Sequence, residues 1–339
     1  NQALDQYIRQ AITQSPDIYQ SNLEQEKAQL SSEIATNYRL PTVAFQMGYQ
    51  TARGGRDINL PIGDMLNGVY STLNQMTGTN SFPTLENQKI NFLPTNFYDA
   101  KLQTTIPIYN PEIRHNIHIA SNKITATDLD TRTRKRDLVY HVKSAYYDYL
   151  MAFQMVKIYQ QALTLASESR RVNERLLSNG KGLPAYVLRS DAEIENIRAE
   201  ISGAEMQVRN AASHFNYLLN KPMESPIDTF FDEMSALEAG RNILTTQAII
   251  SNREEIKNLQ NASQLYENII HLQKSTALPR LNGILNLGSQ AENWQFNGQS
   301  RYFLLGLQLE VPIFSAFRIK QKTAIAQLEL KQNESRTEY

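Results

Sequence analysis

The chain has 339 residues, with 34 basic and 34 acidic side chains, so no net field recruits nucleic acid or steers an ionic substrate. Cysteine is absent, which excludes a disulfide framework, thiolate metal sites and thiol catalysis. No run of ~18 apolar residues is present to span a membrane as a helix, and no basic and apolar leader opens the chain at Asn1.

The chain resembles itself. Residues 15–50 recur loosely at 253–290, one offset aligning Ile18 with Ile256, Leu40 with Leu278 and Pro41 with Pro279. The segment LQTTIPIY at 102–109 recurs as LQLEVPIF at 307–314. The order helix, Leu-Pro, strand, loop, strand, Pro-Ile-aromatic, helix therefore runs twice, and such a repeat determines the fold.

Residues 3–13 read as a short helix, and Ser15-Pro16 restarts one with proline in its first turn. The first strand follows Pro41. Val43, Phe45, Met47 and Tyr49 alternate there with Thr42, Ala44, Gln46 and Gly48. From Phe97 the set Tyr98, Ala100, Leu102, Thr104 and Ile106 alternates in the same way. In the second copy Phe303, Leu305, Leu307, Leu309 and Val311 do so, and Leu281, Gly283, Leu285 and Leu287 do so more weakly. Runs of ~10 residues with period two have the length of membrane β-strands, apolar side to lipid and polar side inward. A sheet packed one-sidedly on a soluble core has the same period. Four such strands, each flanked by a long helix, favour the membrane.

Between the first two strands lies a loop, 53–96. Leu60, Met65, Leu66, Val69, Tyr70, Leu73 and Met76 predict an amphipathic helix inside it, serving either as a lid at a barrel mouth or as a shield for an edge or surface. No proline or glycine interrupts 112–178, room for a helix of roughly 100 Å at ~1.5 Å per residue. Leu138, Val142, Ala145, Tyr149, Ala152, Val156, Tyr159, Leu163 and Ala166 step along it by threes and fours. After a turn containing Gly180 and Gly182, residues from Val187 to Leu218 do the same, which predicts an antiparallel coiled-coil hairpin. Tyr146, Leu150 and Phe153 add a second stripe, as in a ring of helices. Residues 223–242 read as a linker, and Ser251-Asn-Arg-Glu254 as a capping box.

An open sheet cannot sit in lipid with its edge groups unpaired. Membrane barrels begin at about eight strands. Four strands per chain thus call for other copies, two giving a filled barrel and three a barrel with room for a channel.

In the order of these signals the chain resembles the TolC-like outer-membrane efflux protein family. The match rests on the Leu40-Pro41 and Leu278-Pro279 strand starts, the two Pro-Ile-aromatic exits, and the turn RLLSNG at 175–180 followed by Tyr186-Val-Leu188. The resemblance implies a mainly α fold with β: coiled-coil hairpins forming a trimeric α-barrel in the periplasm, and four strands per chain sharing a 12-stranded barrel in the outer membrane. It divides the chain into a first repeat, 1–222 (helices 1–40, strand 41–52, extracellular loop 53–96, strand 97–108, hairpin 110–220), a linker, 223–242, and a second repeat, 243–339. The second repeat holds helices 243–277, strands 279–291 and 301–312, and a helix from 315. The family pattern continues into another helical hairpin beyond this point, so an incomplete chain is expected.

The resemblance further implies a passive export channel, with no enzymatic activity and no cofactor. Its partners would be two more copies of itself, a periplasmic adaptor, an inner-membrane RND or ABC transporter, and outer-membrane lipid. Arg175, Leu176, Gly180, Gly182, Leu183, Val187 and Leu188 mark the expected adaptor-binding tip, where Leu176, Val187 and Leu188 have the alternative role of closing the hairpin core. Val43, Phe45, Met47, Tyr98, Leu102, Ile106, Leu305, Leu307 and Leu309 are the expected lipid-facing residues. Leu60, Met65, Leu66, Val69 and Leu73 belong to the lid. Tyr49, Tyr98, Trp294, Phe296 and Tyr302 fit an aromatic girdle, Trp294 equally a loop contact. His115 and His118 lack a third ligand, and the basic run 132–136 reads as a wet helix face, so neither is assigned a site. A soluble coiled-coil scaffold is the competing reading.

Overall fold

The computed structural model describes residues 2–229, 240–241 and 253–338. Ser251 of the expected capping box, most of the linker and the helix start at 243 lie outside them. The chain divides into two compact units, one of residues 1–34, 116–271 and 322–339, the other of 35–115 and 272–321. Each unit takes pieces from both halves of the sequence.

The first unit is helical. Helix α1 (Gln2–Gln14) is followed at once by α2 (Pro16–Asn37). Ser15 accepts the Ile18 amide on its hydroxyl and so caps the new helix. Helix α4 (Pro111–Ser178) runs for 68 residues, and α5 (Pro184–Leu218) returns after a short turn. Val142, Ala145 and Tyr149 on α4, and Ser190, Ile194 and Ala204 on α5, are buried, as the coiled-coil seam requires. The densest core joins Leu4 and Ala11 of α1 to Val142 and Tyr146 of α4 and Phe215 of α5. Tyr7 meets Phe215 edge-on at 5.1 Å, and the Tyr146 hydroxyl donates to the Asp228 carbonyl. These contacts fasten the segment after α5 to the core. None of the helices described is long and apolar enough to cross a membrane.

A second feature of this unit is a polar seam. On α6 (Glu254–Ser275), Asn261 donates to the Asn122 carbonyl and accepts from its side chain, and Asn268 donates to the Asn122 side chain. Asn333 of α7 (Arg318–Glu338) donates to the Leu259 carbonyl. Asn261 and Asn333 are buried. Buried amides with all partners in place fix the register in which helices pack.

The second unit is built on one antiparallel sheet in the order β1 (Thr42–Gln50), β4 (Phe97–Tyr109), β5 (Arg280–Glu292), β6 (Arg301–Glu310). Its register sets Phe45 beside Leu102, Leu102 beside Leu287, and Leu287 beside Phe303. The row Val43, Thr104, Leu285, Leu305 follows. Facing partners in an antiparallel pair point to the same side, so the apolar sets of all four strands share one face. The sheet slips by one residue between Pro107 and Tyr109, where proline has no N–H to give the ladder. Helix α7 starts at Arg318 rather than at 315. Ala316 and Phe317 hold φ of 49° and 61°, which no helix permits.

The loop between β1 and β4 carries more structure than the sequence indicated. Strand β2 (Asp57–Leu60) pairs with β3 (Gln88–Asn91), and α3 (Ile62–Thr77) lies between them. Gly78, in the left-handed region, ends α3.

Candidate functional site

The apolar sheet face is bare. Leu305 and Leu307 are 76% and 73% exposed, and Val43, Phe45, Met47, Leu102, Ile106 and Leu309 are also exposed. A soluble sheet covers such a face; a lipid-facing one leaves it open. Tyr98 is the exception and corrects the expectation for that residue. It lies on this face but is 0% exposed, because the β5–β6 loop folds over it. Trp294 stacks on the Tyr98 ring at 5.4 Å, and Phe296 adds a contact at 4.6 Å. The Tyr98 hydroxyl donates to the Gln295 carbonyl, 2.9 Å away.

Trp294 also stacks on Tyr49 at 5.4 Å, so one indole joins β1 and β4. Behind it, the Asn96 side chain donates to Asn293, and the Asn293 amide donates to the Asn96 carbonyl. Asn96, Asn293 and Trp294 all have positive φ, which two polar side chains and the ring stack maintain. The two hairpin loops are thus clasped together at one end of the sheet. Trp294 fills both roles open to it, a loop contact and part of an aromatic cluster on the apolar face. Tyr302 points to the opposite, polar face and is not part of that cluster.

The outer sides of β1 and β6 are sheet edges. Beyond β6, Ile313 is 95% exposed and Phe314 is also bare. On α4 an apolar stripe of Tyr140, Tyr147, Met151, Ile158, Leu165 and Val172 is exposed as well. Sequence reading missed it, although its spacing of fours and sevens is that of a coiled-coil seam.

At the α4–α5 turn, the Lys181 amide donates to the Leu176 carbonyl and the Gly180 amide to the Leu177 carbonyl, closing the helix end in a Schellman pattern. Gly180 holds φ 70°. A Cβ on Gly182 would lie 2.8 Å from the Leu177 nitrogen, so this position has no room for a side chain. Leu176, Leu183 and Leu188 are exposed and Val187 is half-buried. Tyr186, outside the expected set, is also exposed. It lines a groove of about 520 Å³ with Asn173, Arg189, Ser190 and Glu193. Nearby, Arg170 is bonded to Asp191 and, at 2.9 Å, to Glu174. The Asp191 hydrogen bond raises the Arg170 pKa above its ordinary value.

In the long loop, Met65 and Val69 of α3 are exposed, while Leu60 and Leu73 are half-buried. The opposite side of α3 is latched by amides to the 82–87 segment. Asn67 and Asn74 each donate to the carbonyl and accept from the amide of one residue, Leu85 and Phe82 respectively. Gly63 lies so near that a Cβ would be 2.4 Å from the Leu85 carbonyl oxygen.

A family model described as outer membrane efflux protein matches residues 7–220. The chain belongs to the outer membrane efflux protein family. No curated protein sequence matches it. Among solved structures, the outer-membrane channel OprN is 16% identical, with a TM-score of 0.76 over 100% of this chain and 70% of that one. The CmeC outer membrane channel of Campylobacter jejuni is 14% identical, with a TM-score of 0.74 over 99% of this chain and 67% of its own. The open state of the MtrE channel of Neisseria gonorrhoeae is 15% identical, with a TM-score of 0.71 over 99% and 69%. At such identities the likeness establishes the fold, and the family match establishes the function. The efflux protein is an outer-membrane exit channel, with its bare sheet in the outer membrane and its long helices in the periplasm. This decides against the soluble scaffold. The family and these structures are channels rather than enzymes.

Proposed function

We propose that three copies of the efflux protein close one passive duct through the outer membrane and the periplasm. The observation that carries this reading is the sheet itself: four strands, one bare apolar face, and two open edges at β1 and β6. Such edges are not tolerated in lipid. Three copies bring twelve strands, enough for a hollow barrel. The exposed stripe on α4 supports the same assembly, since it offers each copy a coiled-coil seam for its neighbour.

The polar sheet face then lines the lumen, and Val43, Phe45, Met47, Leu102, Ile106, Leu305, Leu307 and Leu309 contact lipid. The two-repeat organisation, with a linker at 223–242, gives each copy two strand pairs. Leu176, Leu183, Val187 and Leu188 dock a periplasmic adaptor, Gly180 and Gly182 keep the turn tight, and Arg175 flanks it. The adaptor links the duct to an RND or ABC transporter, which supplies the energy. Leu60, Met65, Leu66, Val69 and Leu73 act in a lid at the outer mouth. The reading assigns the protein no reaction and no nucleic-acid partner. It is tested by the mass of the detergent-extracted assembly.

A further inference from the structure

One polar cluster on the sheet has no part in the reading above. Asp99 and Lys101 lie on the polar face of β4, with Lys101 Nζ 2.9 Å from Asp99 Oδ2. From β6, two strands away, Tyr302 donates its hydroxyl to Asp99 Oδ1 at 2.8 Å. The tyrosine reaches across β5 at Gly288, which the register sets between Lys101 and Tyr302. A Cβ on Gly288 would lie 2.9 Å from both Lys101 Cβ and Tyr302 Cε1. Any other residue there would push the bridging side chains apart, so glycine is what permits the network.

Within the sheet the rest of this face is uncharged: amides and a hydroxyl (Gln46, Gln103, Thr105, Asn282, Asn286 and Gln308) interspersed with Ala44, Ile284 and Leu304. Its other charged residues, Arg280, Glu292 and Glu310, stand at strand ends. Asp99 and Lys101 are therefore the charges set within the sheet, and they occur as a bonded pair of opposite sign. Charged rings in a pore select ions by sign. A paired ring cancels its own field beyond the pair.

We propose that the Asp99–Lys101–Tyr302 network is a charge-neutral ring that keeps the pore indifferent to the sign of its cargo, Lys101 masking Asp99. This rests on the trimeric barrel with its polar face inward, which repeats the network three times at one level. The substrate class it suits is polar or amphipathic molecules of either charge.

The test is ion selectivity of the purified full-chain assembly in planar bilayers under a KCl gradient. K101M bares Asp99, and the potassium-to-chloride permeability ratio is expected to rise about twofold or more. D99N bares Lys101, and the ratio is expected to fall by a similar factor. The D99N/K101M double variant is expected to return to the wild-type ratio. Conducting channels whose ratio is unchanged in both single variants, or moves the same way in both, overturn the proposal. Wild-type protein that inserts but never conducts overturns the channel reading instead. Should D99N fail to assemble, K101M decides alone, because it leaves the Tyr302–Asp99 bond in place.

Discussion

Asn67 holds the backbone of Leu85 by both of its polar groups, donating to the carbonyl at 2.9 Å and accepting from the amide at 2.8 Å. Seven residues on, Asn74 does the same for Phe82, donating at 2.9 Å and accepting at 3.2 Å. Two turns of α3 are thereby sewn to a segment with no secondary structure of its own. Asn67→Leu keeps the volume but leaves a donor and an acceptor unpaired, a loss of about 1–3 kcal/mol. Faster hydrogen exchange at 82–87, with unchanged exchange in β1 and β4, is the expected result. Equal exchange in variant and wild type would mean that the amide latch does not hold the loop.

The periplasmic turn makes a sharper demand. Gly182→Ala sets a Cβ 2.8 Å from the Leu177 nitrogen and must open the turn, whereas Leu188→Ser changes only an exposed side chain. Both are expected to weaken adaptor binding at least tenfold, with assembly intact, when binding is measured by surface plasmon resonance. Wild-type binding by Leu188→Ser would remove that residue from the docking surface.

Arg136 of α4 holds Glu255 of α6 with two bonds, at 2.9 and 2.5 Å. The hydrogen bond from Arg136 is the main cause that lowers the Glu255 pKa from 4.5 to about 2. A depressed carboxylate pKa stabilises the fold fully above the unfolded value, and that stability is lost as pH falls from about 4.5 through about 2. Both side chains are substantially exposed, so water screens the effect heavily. Glu255→Gln is expected to lower the unfolding temperature of the helical part at pH 7, and the difference from wild type is expected to shrink as pH falls from about 4.5 and to be gone below about 2. A difference that persists there would have to come from something other than the charge.

Leu307→Arg adds a charge to the bare face of β6, at a cost of about 2–4 kcal/mol near the bilayer midplane. Gln308→Arg, one residue along on the polar face, is the control. Loss of outer-membrane assembly is expected for the first and not for the second, read by membrane fractionation. Equal tolerance of both would argue against lipid on the leucine face.

The sequence carries the strands plainly, because period two survives any local detail: Val43, Leu285 and Leu305 share one row as their spacing implies. The short helix in the long loop was legible from its apolar stripe, except that Leu60 belongs to β2, because Pro61 separates it from α3. Its amide latch was not, since Asn67 and Asn74 bind backbone groups that leave no pattern. Tyr98 looked outward from its place in the alternation, yet it is covered by a loop whose path depends on two consecutive left-handed residues, Asn293 and Trp294. The exposed stripe from Tyr140 to Val172 was hidden among the other apolar residues of α4, where a helix with several seams loses a clean period. At the tip, Leu176 and Leu188 stand clear of the hairpin core, which sequence spacing alone left open.

The central claim is that the bare sheet closes only between copies. The most direct test is the mass of the full-length protein extracted from outer membranes, measured by light scattering with the detergent subtracted. A mass of three chains, recovered from the outer-membrane fraction, is the result expected. A single chain or a pair, or recovery in the soluble fraction, would contradict the shared barrel.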